Sequence, residues 1–393
     1  MQDGVKGRAV TSDDTHGAMK HCDVAIIGVG IVGASALYAL TRAGVRAVAL
    51  DAGVPGAGTS SRSFAWVNSV RKEPEIYHRL NADGMAAHRE LARELGGDAG
   101  YHEGGSLEWA EGDGEERELR ARVDRLAGRG YPAAWISAER ARHMEPGLAI
   151  PDHLTGVAFY AGDGWLDAPQ LIGRLLAAAS AGGAEIHRAT PVRSLRVRND
   201  RVEALIVDEG EIAAESVLIC VGPATQAFLA PLGVTLPVGR VPGLLAVTSR
   251  PTEPLGRVVH APGIHLRPDA SGGLMLGAGD IDELVTDTSA PETASAIAAR
   301  LLERAARVFP PARDVRLVDS RIGVRPMPED GHTIAGRTAR LRNAWVLATH
   351  SGITLGPLLG RLIAGEIAGG APSPALAPFR PERFAPSGEG PAR

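Results

Sequence analysis

Along this chain, short unbroken apolar runs alternate with longer stretches whose apolar residues recur at helical spacing. Val24, Ala25, Ile26 and Ile27 form the first run, which suits a parallel strand covered on both faces. Ile31, Ala34, Leu37 and Leu40 then predict a helix, Gly44 its stop, and residues 45–50 a second strand. Residues 75–95 predict an amphipathic helix with Ile76, Leu80, Leu91 and Leu95 on one side. Between 101 and 150 the character changes to a short strand, a charged helix and a Pro- and Gly-bounded segment. After a turn at 162–167 come a helix and alternating strands joined at Asn199-Asp200, a good hairpin turn. Residues 216–222 are again apolar and end in glycine, which predicts a return to the parallel sheet. From 235 to 320, alternating segments predict antiparallel strands with a helix at 293–308 packed on them. A buried strand at 345–348, a turn and a helix bearing Leu358, Leu362 and Ile363 follow, and the Pro-rich tail after Ala371 is expected to be loose.

Gly28, Gly30 and Gly33 form G-x-G-x-x-G between the first strand and the first helix. Gly28 permits the tight turn, Gly30 lets backbone approach a pyrophosphate, and Gly33 lets the helix pack closely. Phosphates would then sit at a helix N-terminus. Asp51 ends the second strand, where a carboxylate accepts hydrogen bonds from an adenosine ribose. NAD and FAD share this unit. The next loop carries Gly53, Pro55, Gly56 and Gly58, and then Ser60, Ser61 and Arg62 as donors for an anion.

With 393 residues and 44% apolar content, two domains are expected. A net charge of -4 makes no case for nucleic acid or an anionic membrane, so a small molecule is the expected ligand. Cys22 and Cys220 are the only cysteines, free thiols by spacing, and no His, Cys or carboxylate cluster predicts a metal. Residues 1–21 are polar, lack a secretory core and read as a disordered leader; no run reaches membrane-spanning length, and a cytoplasmic location is expected.

Taken in order, these landmarks make the chain resemble the superfamily of D-amino-acid oxidase and sarcosine oxidase. They are the glycine unit with Asp51, the loop Thr59-Ser60-Ser61-Arg62, the turn Asp163-Gly164, the strand end Val221-Gly222-Pro223, and the segments at 321–331 and 348–357. The resemblance implies non-covalent FAD on an α/β Rossmann-like domain, interleaved with an α+β substrate domain on a mostly antiparallel sheet. It assigns 22–100, 150–235 and 320–375 to the FAD domain, 101–149 and 236–319 to the substrate domain, and 376–393 to a loose tail. Besides the residues above, it places Ile31, Val32, Ala52, Ser351, Gly352, Ile353 and Thr354 at the cofactor. Relatives that tether flavin use a late cysteine or a histidine in the loop after the second strand, and this chain has neither.

The resemblance also implies an amine or amino-acid substrate. Arg325 matches the family arginine that holds the substrate carboxylate, a role suited to a bidentate guanidinium fork. His350 matches a position bordering the flavin, and His265 one that often contacts substrate. Backbone N–H groups of the turn at 349–356 would stabilise charge arriving on the flavin. His260 and His332 are read as surface or packing residues, and Trp66 and Asn68 as either cofactor-facing or packing. Relatives use a substrate-domain lysine to promote reaction with oxygen; no lysine follows Lys72, leaving oxygen or another acceptor open. The alternatives are a 2-hydroxy acid or a larger biosynthetic amine as substrate, an NAD(P) dehydrogenase, or a non-catalytic flavoprotein subunit.

Overall fold

The structure, a computed structural model, describes residues 21–385. The predicted parallel unit forms as a strand His21–Ile27, a helix Ile31–Arg42 and a strand Ala47–Leu50. Residues 1–20 of the expected leader lie outside the described residues, while His21 opens the first strand. The first strand pairs in parallel with Ala47–Leu50 on one side and with Gly210–Ile219 on the other. Gly210–Ile219 in turn pairs in parallel with Ala344–Ala348. An eight-stranded sheet results, buried on both faces as its near-continuous apolar strands require.

A second eight-stranded sheet runs in the order Leu317–Pro328, Val238–Thr248, Leu274–Gly277, Ile264–Pro268, Val258–Ala261, Ser106–Glu108, Val157–Tyr160, Ala133–Ile136. All its neighbours are antiparallel except Val258–Ala261 with Ser106–Glu108. The helix Pro291–Val308 buries Ala294, Ala298, Leu301 and Ala305 in this sheet's core. Two segments that the resemblance assigns to the FAD domain, the second of them from residue 320 on, pair here instead. They are Val157–Tyr160 and Leu317–Pro328, the latter bonded along its whole length to Val238–Thr248. A strand's sheet is chosen by a partner remote in sequence, which local patterning does not reveal.

Two further expectations are corrected. Ile76 is 48% exposed; the helix Glu75–Glu94 turns Tyr77, Leu80, Met85 and Leu91 inward instead. The tail is docked as far as it is described: Leu376 and Phe379 are buried, and Arg380 donates to both carboxylate oxygens of Glu366, at 2.8 and 2.7 Å. Two apolar anchors and one half-buried ion pair suffice to hold a Pro-rich segment that has no helical period to announce it.

Candidate functional site

Between the two large sheets lies a cavity of about 1170 Å³, larger than the ~300–1,000 Å³ of ordinary small-molecule pockets. One end is the glycine turn. Gly28 has φ +90°, and a Cβ there would lie 2.5 Å from the Cys220 carbonyl oxygen, so only glycine fits. Asp51 Oδ2 accepts from the Val29 N–H at 2.8 Å and Oδ1 from the Gly53 N–H at 2.9 Å. Ser60 Oγ accepts from the Ile31 N–H at 3.0 Å. The N–H groups of Gly30 and Val32, on the same wall, have no partner among the described residues. Unpaired donors at a helix N-terminus beside an acid-bearing strand end suit the pyrophosphate and ribose of a dinucleotide.

Most expected cofactor contacts line this cavity: Gly28, Gly30, Ile31, Val32, Asp51 and Ala52 at the turn, then Thr59, Ser60 and Arg62, then Gly222 and Pro223. Ser351, Gly352, Ile353 and Thr354 line it from the start of the helix Gly352–Ile367. Gly33 and Ser61 do not. A Cβ on Gly33 would meet the Gly28 carbonyl oxygen at 2.1 Å, so this glycine serves packing alone. Ser61 turns its hydroxyl back to Gly58 in solvent. Cys220 lines the cavity beside the glycine turn, its thiol pushed far up in pKa by burial.

At the other end the cavity gathers Arg325, His265 and His350 from separate elements. The Arg325 Nη2 donates to the Pro242 carbonyl at 2.8 Å and to Asp282 Oδ2 at 2.9 Å. Nε donates to the Val241 carbonyl at 3.4 Å, so of the expected fork only Nη1 has no partner among the described residues. His265 meets Phe64 edge-on, ring centroids 4.5 Å apart, and burial with nearby His260 and arginines pushes its pKa to about 3. His350 faces open cavity space, yet the enclosing protein and the cations Lys72 and Arg325 push its pKa to about 4. Both imidazoles are therefore neutral at physiological pH.

The structure adds residues that sequence reasoning passed over. The Lys72 Nζ donates to Ser351 Oγ at 2.9 Å, and burial lowers its pKa to about 8. The substrate domain lacks a lysine, but the nucleotide half brings this one into the wall. The Tyr77 hydroxyl donates to the same Ser351 Oγ at 3.0 Å. His332 and His260 also line the cavity, against their reading as surface or packing residues. His332 Nε2 lies 2.9 Å from the Glu73 carbonyl. His260 pairs directly across strands with His265, and its ring lies 4.1 Å from Trp66. The signal for His260 was present: Pro262-Gly263 makes a tight hairpin, whose register sets His260 opposite His265. No such signal marks Lys72, which sits between Arg71 and Glu73 like any surface charge. Trp66 and Asn68 both line the cavity and pack, Trp66 donating to Asp163 Oδ2 at 3.0 Å.

Among the described residues no His, Cys or carboxylate group forms a metal cluster, and no helix is long and apolar enough to cross a membrane. The sequence profile of the family described as FAD dependent oxidoreductase matches residues 23–366. A glycine oxidase of Geobacillus kaustophilus is 30% identical over 371 residues, covering 91% of this chain and 96% of the relative. A crystal structure of glycine oxidase from that organism superposes with a TM-score of 0.83 over 93% of this chain and 100% of that one. An opine oxidase subunit of Agrobacterium tumefaciens is 27% identical over 377 residues, covering 93% of this chain and 98% of the relative.

Proposed function

This chain belongs to the family of FAD-dependent oxidoreductases, and from that membership we propose that it oxidises the C–N bond of a small amino acid or secondary amine. The substrate would be a D-amino acid, a sarcosine-like amine or a cyclic imino acid. The names of the two relatives, a glycine oxidase and an opine oxidase subunit, favour that class. Bound FAD supplies the hydride acceptor. The residues that would hold it non-covalently are the donors of the glycine turn, Asp51, and the start of the last helix.

The observation that carries this reading is Arg325. Its guanidinium is anchored through Nη2, so the remaining Nη1 donors point from a fixed position and can orient a substrate carboxylate. A carboxylate would be taken through Nη1 alone, not through the full fork. Neutral His265 and His350 offer hydrogen bonds without bringing a further charge. Arg325 is paired with Asp282, so the net positive charge at this end is that of Lys72, which favours a carboxylate and negative charge delivered in the reaction. The nicotinamide reading is set aside by family membership. A partner-dependent role keeps one observation in its favour, the likeness to a subunit of an opine oxidase.

The test is anaerobic bleaching of the flavin band with D-amino acids, sarcosine, cyclic imino acids and 2-hydroxy acids, followed by Arg325→Ala. KM for the bleaching substrate should rise about tenfold or more, the worth of a charged hydrogen bond. Flavin content should hold. Arg325→Ala/Asp282→Asn controls for the carboxylate left unpaired by the single change. Unaltered kinetics would remove Arg325 from the reaction.

A further inference from the structure

A second cavity, of about 700 Å³, adjoins the first and shares Arg71, His260, His265 and Gly279 with it. His260 belongs to both, and its Nε2 is buried with no hydrogen-bond partner among the described residues. The wall beyond it is built on Glu108, a buried carboxylate. Its Oε1 accepts from Arg71 Nη2 at 2.5 Å and from Arg122 Nη2 at 2.8 Å, and its Oε2 from the Tyr160 hydroxyl at 3.3 Å. Two guanidiniums thus share one carboxylate, leaving a surplus positive charge.

On the inner wall, around Glu108, the unused hydrogen-bonding capacity is that of donors. Arg122 Nε is buried without a partner, and Arg71, its side chain 59% exposed, spends a single N–H on Glu108. Both oxygens of Glu108 are engaged, so this wall offers donors. Arg125 leans on Glu73 at 3.4 Å. Glu115 and Glu118 also line this cavity and are exposed, so their negative charge is screened by water and salt, as is part of the Arg71 charge. An inner wall whose Arg71–Glu108–Arg122 cluster keeps free donors, joined through an unpartnered imidazole to a cavity built for an amine, fits an elongated ligand with an anion at its far end.

Resting on the amine-oxidation reading, we propose that this second cavity is a subsite for a second carboxylate, and that the substrate class is a dicarboxylic secondary amine, an N-carboxyalkyl amino acid. Its C–N bond lies in the larger cavity, its chain passes His260, and its distal carboxylate rests on Arg71 and Arg122. Arg71 is the specificity determinant, since it borders both cavities.

The experiment titrates the anaerobic holoenzyme with non-oxidisable thioethers and reads binding from the perturbed flavin absorbance. Methylthioacetate carries one carboxylate; thiodiacetate and 3,3′-thiodipropionate carry two at different reach. At least one dicarboxylate should bind about tenfold or more tightly than methylthioacetate, and Arg71→Gln should bring that ratio to within about twofold, because the charged hydrogen bonds are lost. Arg71→Lys should retain part of the preference through charge alone. Equal binding of all three thioethers, or a preference that survives Arg71→Gln, overturns the subsite. If the thioethers discriminate but no amine bleaches the flavin, the oxidation reading fails and the anion subsite stands. If amines with one carboxylate bleach as readily as those with two, the subsite alone falls.

Discussion

Asp163 has no solvent exposure, and three donors converge on it: Trp66 Nε1 at 3.0 Å, Ser106 Oγ at 2.6 Å and the Tyr131 hydroxyl. The Tyr131 oxygen in turn accepts from the Ser69 N–H at 3.1 Å. This buried network holds the indole that forms the cavity wall under His260. Burial pushes the Asp163 pKa up to about 7, against the pull of its three donors. Between the ordinary value of 3.8 and about 7, the native state keeps a proton that the unfolded chain has lost. Stability therefore falls as pH rises through that window and levels off above it. Asp163→Asn should flatten this slope, read as denaturation midpoints at about pH 5 and about pH 8. Asp163→Ala should lose about 1–3 kcal/mol at either pH, because it orphans buried donors. From sequence, Asp163 was legible as a landmark of the turn, but its donors come from positions 66, 106 and 131, and no spacing rule links them.

The last helix, Gly352–Ile367, packs on the first, Ile31–Arg42, through small residues. A Cβ on Gly360 would lie 2.6 Å from the Ser35 carbonyl carbon, which cannot move aside. Gly360→Ala sets a helix-propensity gain of about 1 kcal/mol against overpacking of about 1–3 kcal/mol. The clash is with backbone, so overpacking wins, and the urea midpoint should fall with an unchanged slope. Pro357 interrupts this same helix and leaves the Ile353 carbonyl without its usual donor. His88 Nε2, 2.8 Å away, serves that carbonyl, and burial holds the ring neutral with a pKa of about 4. The helix itself was readable, since its period lies within one segment. Its repair by a histidine from the helix Glu75–Glu94 was not, because that contact spans 265 positions.

At the scale of the whole molecule, the cofactor loop presses on the edge of the substrate sheet. Thr59 Oγ1 donates to the Val324 carbonyl at 2.5 Å, and a Cβ on Gly323 would lie 2.1 Å from the Arg62 carbonyl oxygen. Gly323→Ala should push the loop off its seat and weaken FAD by about tenfold, the effect of an overpacking cost of about 1–3 kcal/mol. Equilibrium dialysis of the flavin checks this, and an unchanged affinity would mean that the seam yields elsewhere. The glycine unit, Asp51 and the antiparallel segments followed from sequence alone, because strand, turn and helix are contiguous and each carries its own period. The cofactor class came through the family resemblance that the ordered landmarks carry, since the glycine unit by itself leaves NAD and FAD open. Tertiary structure alone decided which sheet takes Leu317–Pro328, that Lys72 and His332 reach the cavity, and that Asp282 engages Arg325. Those outcomes depend on pairings between residues far apart in the chain, where burial and charge are set by neighbours that no local pattern names.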